Sequence, residues 1–261
     1  MAMLVEPDLL NRPYRLLAEA GDVAAGTVMA CLKHLRTNRF FAVQGADRRV
    51  RAVPDLIALW VGAYVEILRP RLGQRRFQVP TAAKPEMWDR LRVMLAARHV
   101  PWALTGADAA EITAGHFRAE DTEIYAPLHW FEERKLLMDL RAQPAARGNL
   151  VVIEPPSPAA LRTDGKPLPL APLLLQYAEL SYRGTDQARE AAGLLLPKLL
   201  VYLDDELIRV IGPVLNTVCG DAATLGLVAH ELGWPAADDD ALLRLSEPFR
   251  WFRSGLGSIR T

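Results

Sequence analysis

Two carboxylates separated by one residue, Asp121 and Glu123, stand at the start of a predicted strand. Side chains at positions i and i+2 of a strand point to the same face, so this pair has the spacing to bind Mg²⁺ jointly. Gly106 opens a predicted helix, and the first amides of a helix suit phosphate oxygens. Together these residues have the chemistry for Mg²⁺-assisted transfer from a nucleoside triphosphate.

The motif around these carboxylates resembles that of nucleotidyltransferase-fold proteins but departs from it. Such proteins place Gly-Gly or Gly-Ser at the helix start and two aspartates on the strand. Here Thr105 and Ala107 flank Gly106, and the pair is Asp-x-Glu. We therefore expect a nucleotidyltransferase-like fold that is not an enzyme, with no metal site and no cofactor. Catalysis by Asp121 and Glu123, with Gly106, stays open as the alternative.

A second group of residues has the chemistry to bind double-stranded DNA. Residues 23–37 form a predicted helix in which Val23, Val28, Leu32 and Leu35 make a buried stripe. A helix with a small and polar outer face can enter a major groove and reach base edges. The candidate contacts on that face are Thr27, Ala30, Lys33, His34 and Asn38.

A basic hairpin is predicted directly after this helix. Strands at 40–43 and 50–53 flank the turn-forming residues 44–47, which include Gly45 and Asp47. Arg48, Arg49 and Arg51 would place positive charge near a phosphate backbone. The hairpin favours DNA binding over the alternative, a small helical docking module.

The elements that must position these residues form a predicted winged helix-turn-helix. Pro13 suits the first turn of a helix, because its missing N–H would have no partner there. Gly21 is placed to end that helix with a positive φ, and Asp22 to cap the next one. A further helix is predicted from Pro54 to Leu68, with its apolar side formed by Leu56, Leu59, Trp60, Ala63, Ile67 and Leu68.

Residues 69–76 read as a basic connector, either a solvated linker or an additional set of phosphate contacts. After it, strands are predicted at 102–105, 123–126 and 150–154, between helices at 85–99, 106–115 and 128–143. The remainder is predicted to be helical, at 173–182, 187–203, 205–215, 222–232 and 239–252. The predicted fold class is therefore α+β, with a winged helix-turn-helix domain at 1–80, a nucleotidyltransferase-like α/β domain at 81–200 and a helical C-terminal extension at 201–261.

Composition restricts the class of protein. A chain of 261 residues predicts about two domains. Residues 1–80 hold 12 Lys and Arg against 7 Asp and Glu, and the remainder holds 19 against 24, which fits a DNA-binding module joined to another domain. Cys31 and Cys219 are predicted to be reduced core thiols. With neither a signal-peptide run nor a membrane span in the sequence, we expect a cytoplasmic protein that does not bind membranes.

The order of these motifs resembles the AbiEi-type antitoxins of bacterial type IV toxin–antitoxin systems. The resemblance is clearest in RPYRLLAEAG and AGTVMACLKHLRTNRFF, and extends to WALTGADAAEITAGHF and LLLQYAELSYRGTDQAREAA, over residues 12–195. It implies an autorepressing DNA-binding transcriptional regulator that opposes a nucleotidyltransferase toxin. Double-stranded DNA is the expected partner. The resemblance adds a cognate toxin, and the sequence leaves a homodimer open.

Overall fold

The computed structural model describes residues 1–44, 47–115, 120–163 and 168–203. It has a mixed α+β architecture, as predicted, with helices first, then a five-stranded sheet, then helices. The contacts divide the chain into Met1–Leu199 and Leu200–Thr261, and the description below concerns the first of these units. The helices predicted at 205–215, 222–232 and 239–252 lie outside the described residues.

The N-terminal part has the predicted order of helix, helix, hairpin, helix. Its elements are α1 (Ala2–Val5), a 3₁₀ turn (Pro7–Asn11), α2 (Tyr14–Gly21), α3 (Ala25–Thr37), β1 (Phe41–Gln44), β2 (Asp47–Val50) and α4 (Val53–Ala63). From α4 the chain continues as a π-helix (Tyr64–Leu68) and a 3₁₀ turn (Arg69–Arg71). Pro54 lies in the first turn of α4, where its missing N–H needs no partner.

The buried side of α4 and of the π-helix after it differs from its prediction. The structure buries Ile57, Val61 and Tyr64 with Leu56, and leaves exposed three residues that were predicted to face the core, namely Leu59, Ala63 and Ile67. Apolar residues lie all round this helix, so the sequence alone could not decide which side is buried.

The turn between α2 and α3 differs from its prediction. Asp22, and not Gly21, takes the left-handed conformation (φ 52°), and Ala24 precedes α3 without any side-chain cap. Asp tolerates this conformation better than most residues, so the turn forms without glycine. Val28, Leu32 and Leu35 form the predicted buried stripe, but Val23 precedes the helix and is 43% exposed.

The hairpin is shifted relative to its prediction. β2 ends at Val50, whereas the predicted second strand began there, and Val53 already belongs to α4. β1 and β2 pair antiparallel, with Phe41 opposite Val50 and Val43 opposite Arg48. The basic residues Arg48 and Arg49 therefore lie within a strand and not beside the turn.

The second part of the unit contains the sheet. Its elements are β3 (Gln74–Gln78), α5 (Lys84–Ala96), β4 (Ala103–Leu104), α6 (Gly106–Ala114), β5 (Thr122–Tyr125), a 3₁₀ turn (Leu128–Glu132), α7 (Arg134–Leu140), β6 (Gln143–Pro144), β7 (Leu150–Ile153), a 3₁₀ turn (Pro158–Leu161), α8 (Leu173–Arg183) and α9 (Asp186–Leu203). The strand order is β4-β5-β7-β3-β6, with β5 and β7 parallel and the other neighbours antiparallel.

The residues interpreted as a basic linker include a strand. β3 carries Arg75 and Arg76 and pairs with β7 on one side and β6 on the other, so the linker interpretation is wrong for this stretch. Phe77 is the one buried residue of β3, while Gln74, Arg75 and Gln78 are exposed, so local burial gives this strand little of the alternating pattern that identifies strands. The predicted boundary after residue 80 thus directly follows a strand of the sheet, and the three-domain division stays a prediction.

The main hydrophobic core covers one face of the sheet. Phe77, Ile124 and Val152 pack there with Leu91 of α5 and Leu136 of α7. Because side chains alternate along a strand, the neighbours of Ile124 in β5, which are Glu123 and Tyr125, point to the opposite face. No helix in the described part of the chain is both long and apolar enough to cross a membrane.

Candidate functional site

The outer face of α3 is the first candidate site. All five predicted contacts on this face are exposed, namely Thr27, Ala30, Lys33, His34 and Asn38. The residues of the opposite face, Val28, Leu32 and Leu35, are buried. Gly26 lies on the same outer face, and a Cβ placed there would meet no other atom within 4 Å. The helix therefore presents small side chains near its start and polar or basic ones further on.

Polar contacts on this face are local to the end of α3. The Asn38 side-chain amide donates to the His34 carbonyl at 2.9 Å and lies 3.3 Å from Nε2 of the His34 ring. The Thr37 hydroxyl donates to the Lys33 carbonyl at 3.0 Å. The Lys33 ammonium forms no ion pair with the described residues, so its charge is available to a ligand.

The hairpin arginines are not equivalent. The Arg48 guanidinium donates to the Leu10 carbonyl at 3.2 Å and lies over the Tyr14 ring at 4.8 Å from its centroid. The Arg48 amide also donates to Asn11 Oδ1 at 2.9 Å. Arg48 thus fastens the hairpin to the N-terminal segment, whereas Arg51 is exposed. The side chain of Arg49 lies outside the described residues.

Three more cations lie exposed on α2 and at the end of α3, and sequence analysis did not select them. They are Arg15, Arg36 and Arg39. Arg36 follows Lys33 by three residues, a spacing that places both near one face of the helix and could have identified it. Arg39 has a left-handed backbone (φ 64°) just beyond α3, a conformation that helical periodicity does not predict.

The carboxylates proposed as Mg²⁺ ligands are each paired with an arginine. Asp121 precedes β5 and forms an ion pair with Arg76, which also donates to the Gly148 carbonyl at 2.9 Å. Glu123 Oε1 lies 2.7 Å from an Arg183 guanidinium nitrogen. No group of three or more His, Cys, Asp or Glu residues able to hold a metal occurs among the described residues.

Glu123 also occupies the start of α6. Gly106 has φ +56°, and a Cβ at that position would overlap the Glu123 carboxylate. Burial raises the pKa of Glu123 above its ordinary value, although the Arg183 guanidinium acts in the opposite direction. The amides near Gly106 were predicted to bind phosphate oxygens. In the structure the Glu123 carboxylate occupies the space beside Gly106 where such a phosphate would lie.

A buried polar cluster around Glu179 was not predicted. Arg69 Nε donates to both Glu179 oxygens, at 2.8 and 2.9 Å, and Tyr125 donates to Oε1 at 2.7 Å. The Tyr64 hydroxyl also donates to Glu179 Oε1. The hydroxyl oxygens of Tyr64 and Tyr125 lie 2.8 Å apart. Arg69 also lies 4.8 Å from the Tyr182 ring centroid. This cluster joins the segment after α4 to β5 and α8.

The ionisation of this cluster follows from its burial. Burial raises the pKa of both tyrosine hydroxyls, and the adjacent Glu179 carboxylate raises it further. For Arg69, burial alone would lower the pKa, but the Glu179 carboxylate more than compensates and raises it. The cluster therefore holds one ion pair with two neutral phenols, an arrangement suited to fixing elements in place.

Cys31 is exposed on α3, contrary to the prediction of a core thiol. The prediction was wrong because it relied on residue type: free cysteine is commonly buried, but Cys31 lies on the exposed side of the helix next to the buried Leu32. Cys219 lies outside the described residues.

A comparison with known protein families identifies the family of this chain. A family model described as "Transcriptional regulator, AbiEi antitoxin, Type IV TA system" matches residues 49–201, which is more than half of the chain. The match begins in β2, so it contains neither α2 nor α3, the helices in which the sequence resemblance was clearest. No curated protein and no solved structure matches the chain.

Proposed function

This chain belongs to the AbiEi antitoxin family of transcriptional regulators from type IV toxin–antitoxin systems, and we propose that it acts as a sequence-specific DNA-binding autorepressor. In this proposal the region from α2 to α4 is a winged helix-turn-helix, and α3 is the helix that enters the major groove. A regulator of this kind works where the chromosome lies, so we place it in the cytoplasm.

The observation that carries the proposal is the two-sided character of α3. The side chains of its buried stripe, Val28, Leu32 and Leu35, pack inside the protein. On the opposite side of the helix, four candidate contacts are exposed, namely Thr27, Ala30, Lys33 and His34. The start of α3 has no side-chain cap, so the Ala25 and Gly26 amides, which precede the first backbone hydrogen bond of the helix at Thr27, are available to a phosphate oxygen. A helix with this exposure can approach a duplex without rearrangement of the fold.

The proposed contacts divide by chemistry. Thr27 and Ala30 lie near the start of α3, where small side chains allow the backbone close to base edges, and Lys33 and His34 supply hydrogen-bond donors to bases. Asn38, Arg49 and Arg51 contact the phosphate backbone, with Arg15, Arg36 and Arg39 as additional cations. Arg48 positions the hairpin, because its guanidinium is already bound within the fold.

The sheet region has a separate role in this proposal. The order β4, Gly106, α6, β5 supports a nucleotidyltransferase-like domain, as the sequence motif suggested. We assign to it no catalysis, because Arg76 and Arg183 neutralise the two carboxylates that the enzyme alternative requires. It would instead contribute to opposing a cognate nucleotidyltransferase toxin. The C-terminal extension at 201–261 has no assigned role.

A titration of the full-length protein against the DNA upstream of its own gene tests the proposal. Lys33→Ala should weaken binding by about 1–3 kcal/mol if Lys33 reads a base. Lys135→Ala is the matched control, because Lys135 is an exposed lysine of α7 and its loss changes net charge equally. Equal effects of the two substitutions, or no shift of any DNA at low salt, would refute the proposal.

A further inference from the structure

A cavity of about 360 Å³ lies beside the sheet, where α5, α6 and the start of β5 meet. The described residues that line it include Lys84, Met87, Glu111, Glu120, Thr122 and Asn149. Ligand pockets in proteins have volumes of roughly 300–1,000 Å³, so this cavity has the size for a small molecule.

The cavity is separate from the carboxylate pair considered for catalysis. Thr122 lies two residues before Ile124 in β5, so both side chains point to the face of the sheet that carries the main core. Met87 of that core also lines the cavity. Glu123 points to the opposite face, so a ligand in the cavity would not meet it.

The Thr122 hydroxyl is a polar group that the fold leaves without a partner. Thr122 is only 1% exposed, and its hydroxyl forms no hydrogen bond with another described residue. Among the described residues, the fully enclosed side-chain oxygen without a partner is that of Thr105, so the Thr122 hydroxyl still contacts solvent, through the cavity that it lines. A buried hydroxyl without a partner is costly, and a ligand atom in the cavity would remove this cost.

The start of α5 provides donors for a negatively charged group. α5 begins at Lys84 without a side-chain cap, and its first backbone hydrogen bond runs from the Met87 amide to the Ala83 carbonyl, at 3.3 Å. The Lys84 amide therefore has no partner within the helix. The Lys84 ammonium forms an ion pair with the buried Asp108 and keeps further N–H donors. Both groups and the helix dipole favour a carboxylate at this end of the cavity.

Two carboxylates that line the same cavity provide acceptors for a positively charged group. They belong to Glu111 of α6 and to Glu120, and neither forms an ion pair with another residue in the described part of the chain. The Asn149 side chain, in contrast, is bound within the fold, because it accepts from the Val79 amide and donates to the Val79 carbonyl, both at 2.8 Å. The charged groups left for a ligand are thus of both signs.

We propose that this cavity binds a free α-amino acid in its zwitterionic form. The carboxylate of the ligand accepts from the Lys84 amide and ammonium, and its ammonium group donates to Glu111 and Glu120. The Thr122 hydroxyl completes the polar contacts, and the thioether of Met87 packs against the ligand side chain.

Two simpler classes of ligand fit the lining less well. An inorganic anion such as phosphate would lie near the Glu111 and Glu120 carboxylates, which repel it. An amine without a carboxylate would leave the donors at the start of α5 without a partner. An amino acid has both charges within one small molecule, and it matches both sets of groups.

This inference goes beyond the proposed function, because the cavity lies in the sheet region and its ligand is not DNA. The two proposals can therefore fail separately. Binding of an amino acid by a protein that shifts no DNA would leave the cavity proposal standing and refute the regulator proposal. DNA binding by a protein that takes up no amino acid would do the reverse.

Isothermal titration calorimetry of the full chain, without DNA, tests the proposal with each standard amino acid in turn. The expected result is saturable binding of at least one amino acid with one site per chain. The methyl ester and the N-acetyl derivative of that amino acid should each bind about tenfold more weakly or worse, because each lacks one charged end. No saturable binding of any amino acid, or a derivative that binds as tightly as its parent, overturns the inference.

Two substitutions locate the ligand in the cavity. Glu111→Gln and Thr122→Val should each weaken binding by about tenfold, since each removes a hydrogen bond to a charged group of the ligand. Glu133→Gln is the control, because Glu133 is exposed at the start of α7 and its substitution changes the net charge equally. Equal effects of Glu111→Gln and Glu133→Gln overturn the inference.

The melting temperature of the unliganded protein provides a further readout for Thr122→Val. Valine has nearly the shape of threonine, and the hydroxyl that it lacks has no partner within the described fold. The substitution should therefore leave the melting temperature of the unliganded protein unchanged or raise it. A clear fall would show that the hydroxyl is bound within the fold and is not available to a ligand, which also overturns the inference.

Discussion

The Arg69 guanidinium donates from Nε to both oxygens of the Glu179 carboxylate, at 2.8 and 2.9 Å, and both side chains are almost fully buried. Arg69 follows α4, whereas Glu179 lies in α8, more than one hundred residues later in the chain. The pair therefore ties the helix next to the hairpin to the helices that pack on the sheet. The Tyr64 and Tyr125 hydroxyls both donate to Glu179 Oε1.

Removing the Glu179 charge should strongly destabilise the protein. Glu179→Gln leaves the buried Arg69 guanidinium without its counter-ion, and breaking a buried pair in this way costs about 3–5 kcal/mol. The free energy of unfolding from urea denaturation is the measurement. Glu132→Gln is the control, because the Arg75–Glu132 pair is exposed and should contribute at most about 1 kcal/mol. Similar losses for the two variants would contradict a structural role for the cluster.

Gly106 should tolerate a side chain less well than Gly115. Both glycines have positive φ, +56° and +69°, but a Cβ at Gly106 overlaps Glu123, while one at Gly115 meets nothing within 4 Å. Gly115→Ala should therefore cost about 1 kcal/mol from backbone strain alone, and Gly106→Ala should cost clearly more. Thermal unfolding of the two variants provides the comparison. Equal changes in melting temperature would show that Glu123 moves away without penalty.

The pH dependence of stability should report the burial of Glu123. Because its pKa is raised in the folded state, the folded chain takes up this proton at a higher pH than the unfolded chain does. Its contribution to the free energy of unfolding therefore increases as the pH falls through the range above the ordinary glutamate value. As the pH falls from neutral towards the ordinary glutamate pKa, the wild type should therefore gain stability relative to Glu123→Gln. A stability difference that stays constant, or that moves the other way, would contradict this.

Substitution of Arg48 should mainly affect protein stability, whereas substitution of Arg51 should mainly affect DNA affinity. Arg48→Ala removes the hydrogen bond to Leu10 and the contact with the Tyr14 ring, so unfolding should become easier by about 1–2 kcal/mol. Arg51→Ala should change stability by less than about 0.5 kcal/mol, because Arg51 is exposed. It should instead weaken DNA binding of every sequence and reduce the salt slope by about one.

Two measurements are needed for that comparison, namely urea unfolding and DNA titration at several salt concentrations. If Arg51→Ala leaves the salt slope unchanged, Arg51 does not contact a phosphate. If Arg48→Ala leaves stability unchanged, the contacts of Arg48 with the N-terminal segment do not hold the hairpin.

Local signals in the sequence predicted much of the fold. The buried stripe Val28, Leu32 and Leu35 defined α3, and the continuous apolar run of β7 predicted a strand buried on both faces. β3 escaped detection because its arginines resemble a linker until their partners, Glu132 and Asp121, are known. Such partners are distant in sequence, so no local pattern contains them.

The candidate sites divide in the same way. The outer face of α3 follows from helical spacing, and its exposure is confirmed residue by residue for Thr27, Ala30 and Lys33. The role of Arg48 and the cluster around Glu179 depend on contacts between residues far apart in the chain. Spacing suggested that Asp121 and Glu123 share a face, but Asp121 precedes β5 and each carboxylate has its own arginine.

The central claim is that the outer face of α3 occupies a major groove, and methylation interference on the upstream DNA tests it most directly. Guanine N7 lies in the major groove, whereas adenine N3 lies in the minor groove. The account predicts that methylated guanine N7 at defined positions prevents binding of the full-length protein, and that Ala30→Glu removes binding without lowering the melting temperature. Interference at adenine N3 alone, or binding insensitive to Ala30→Glu, would contradict it.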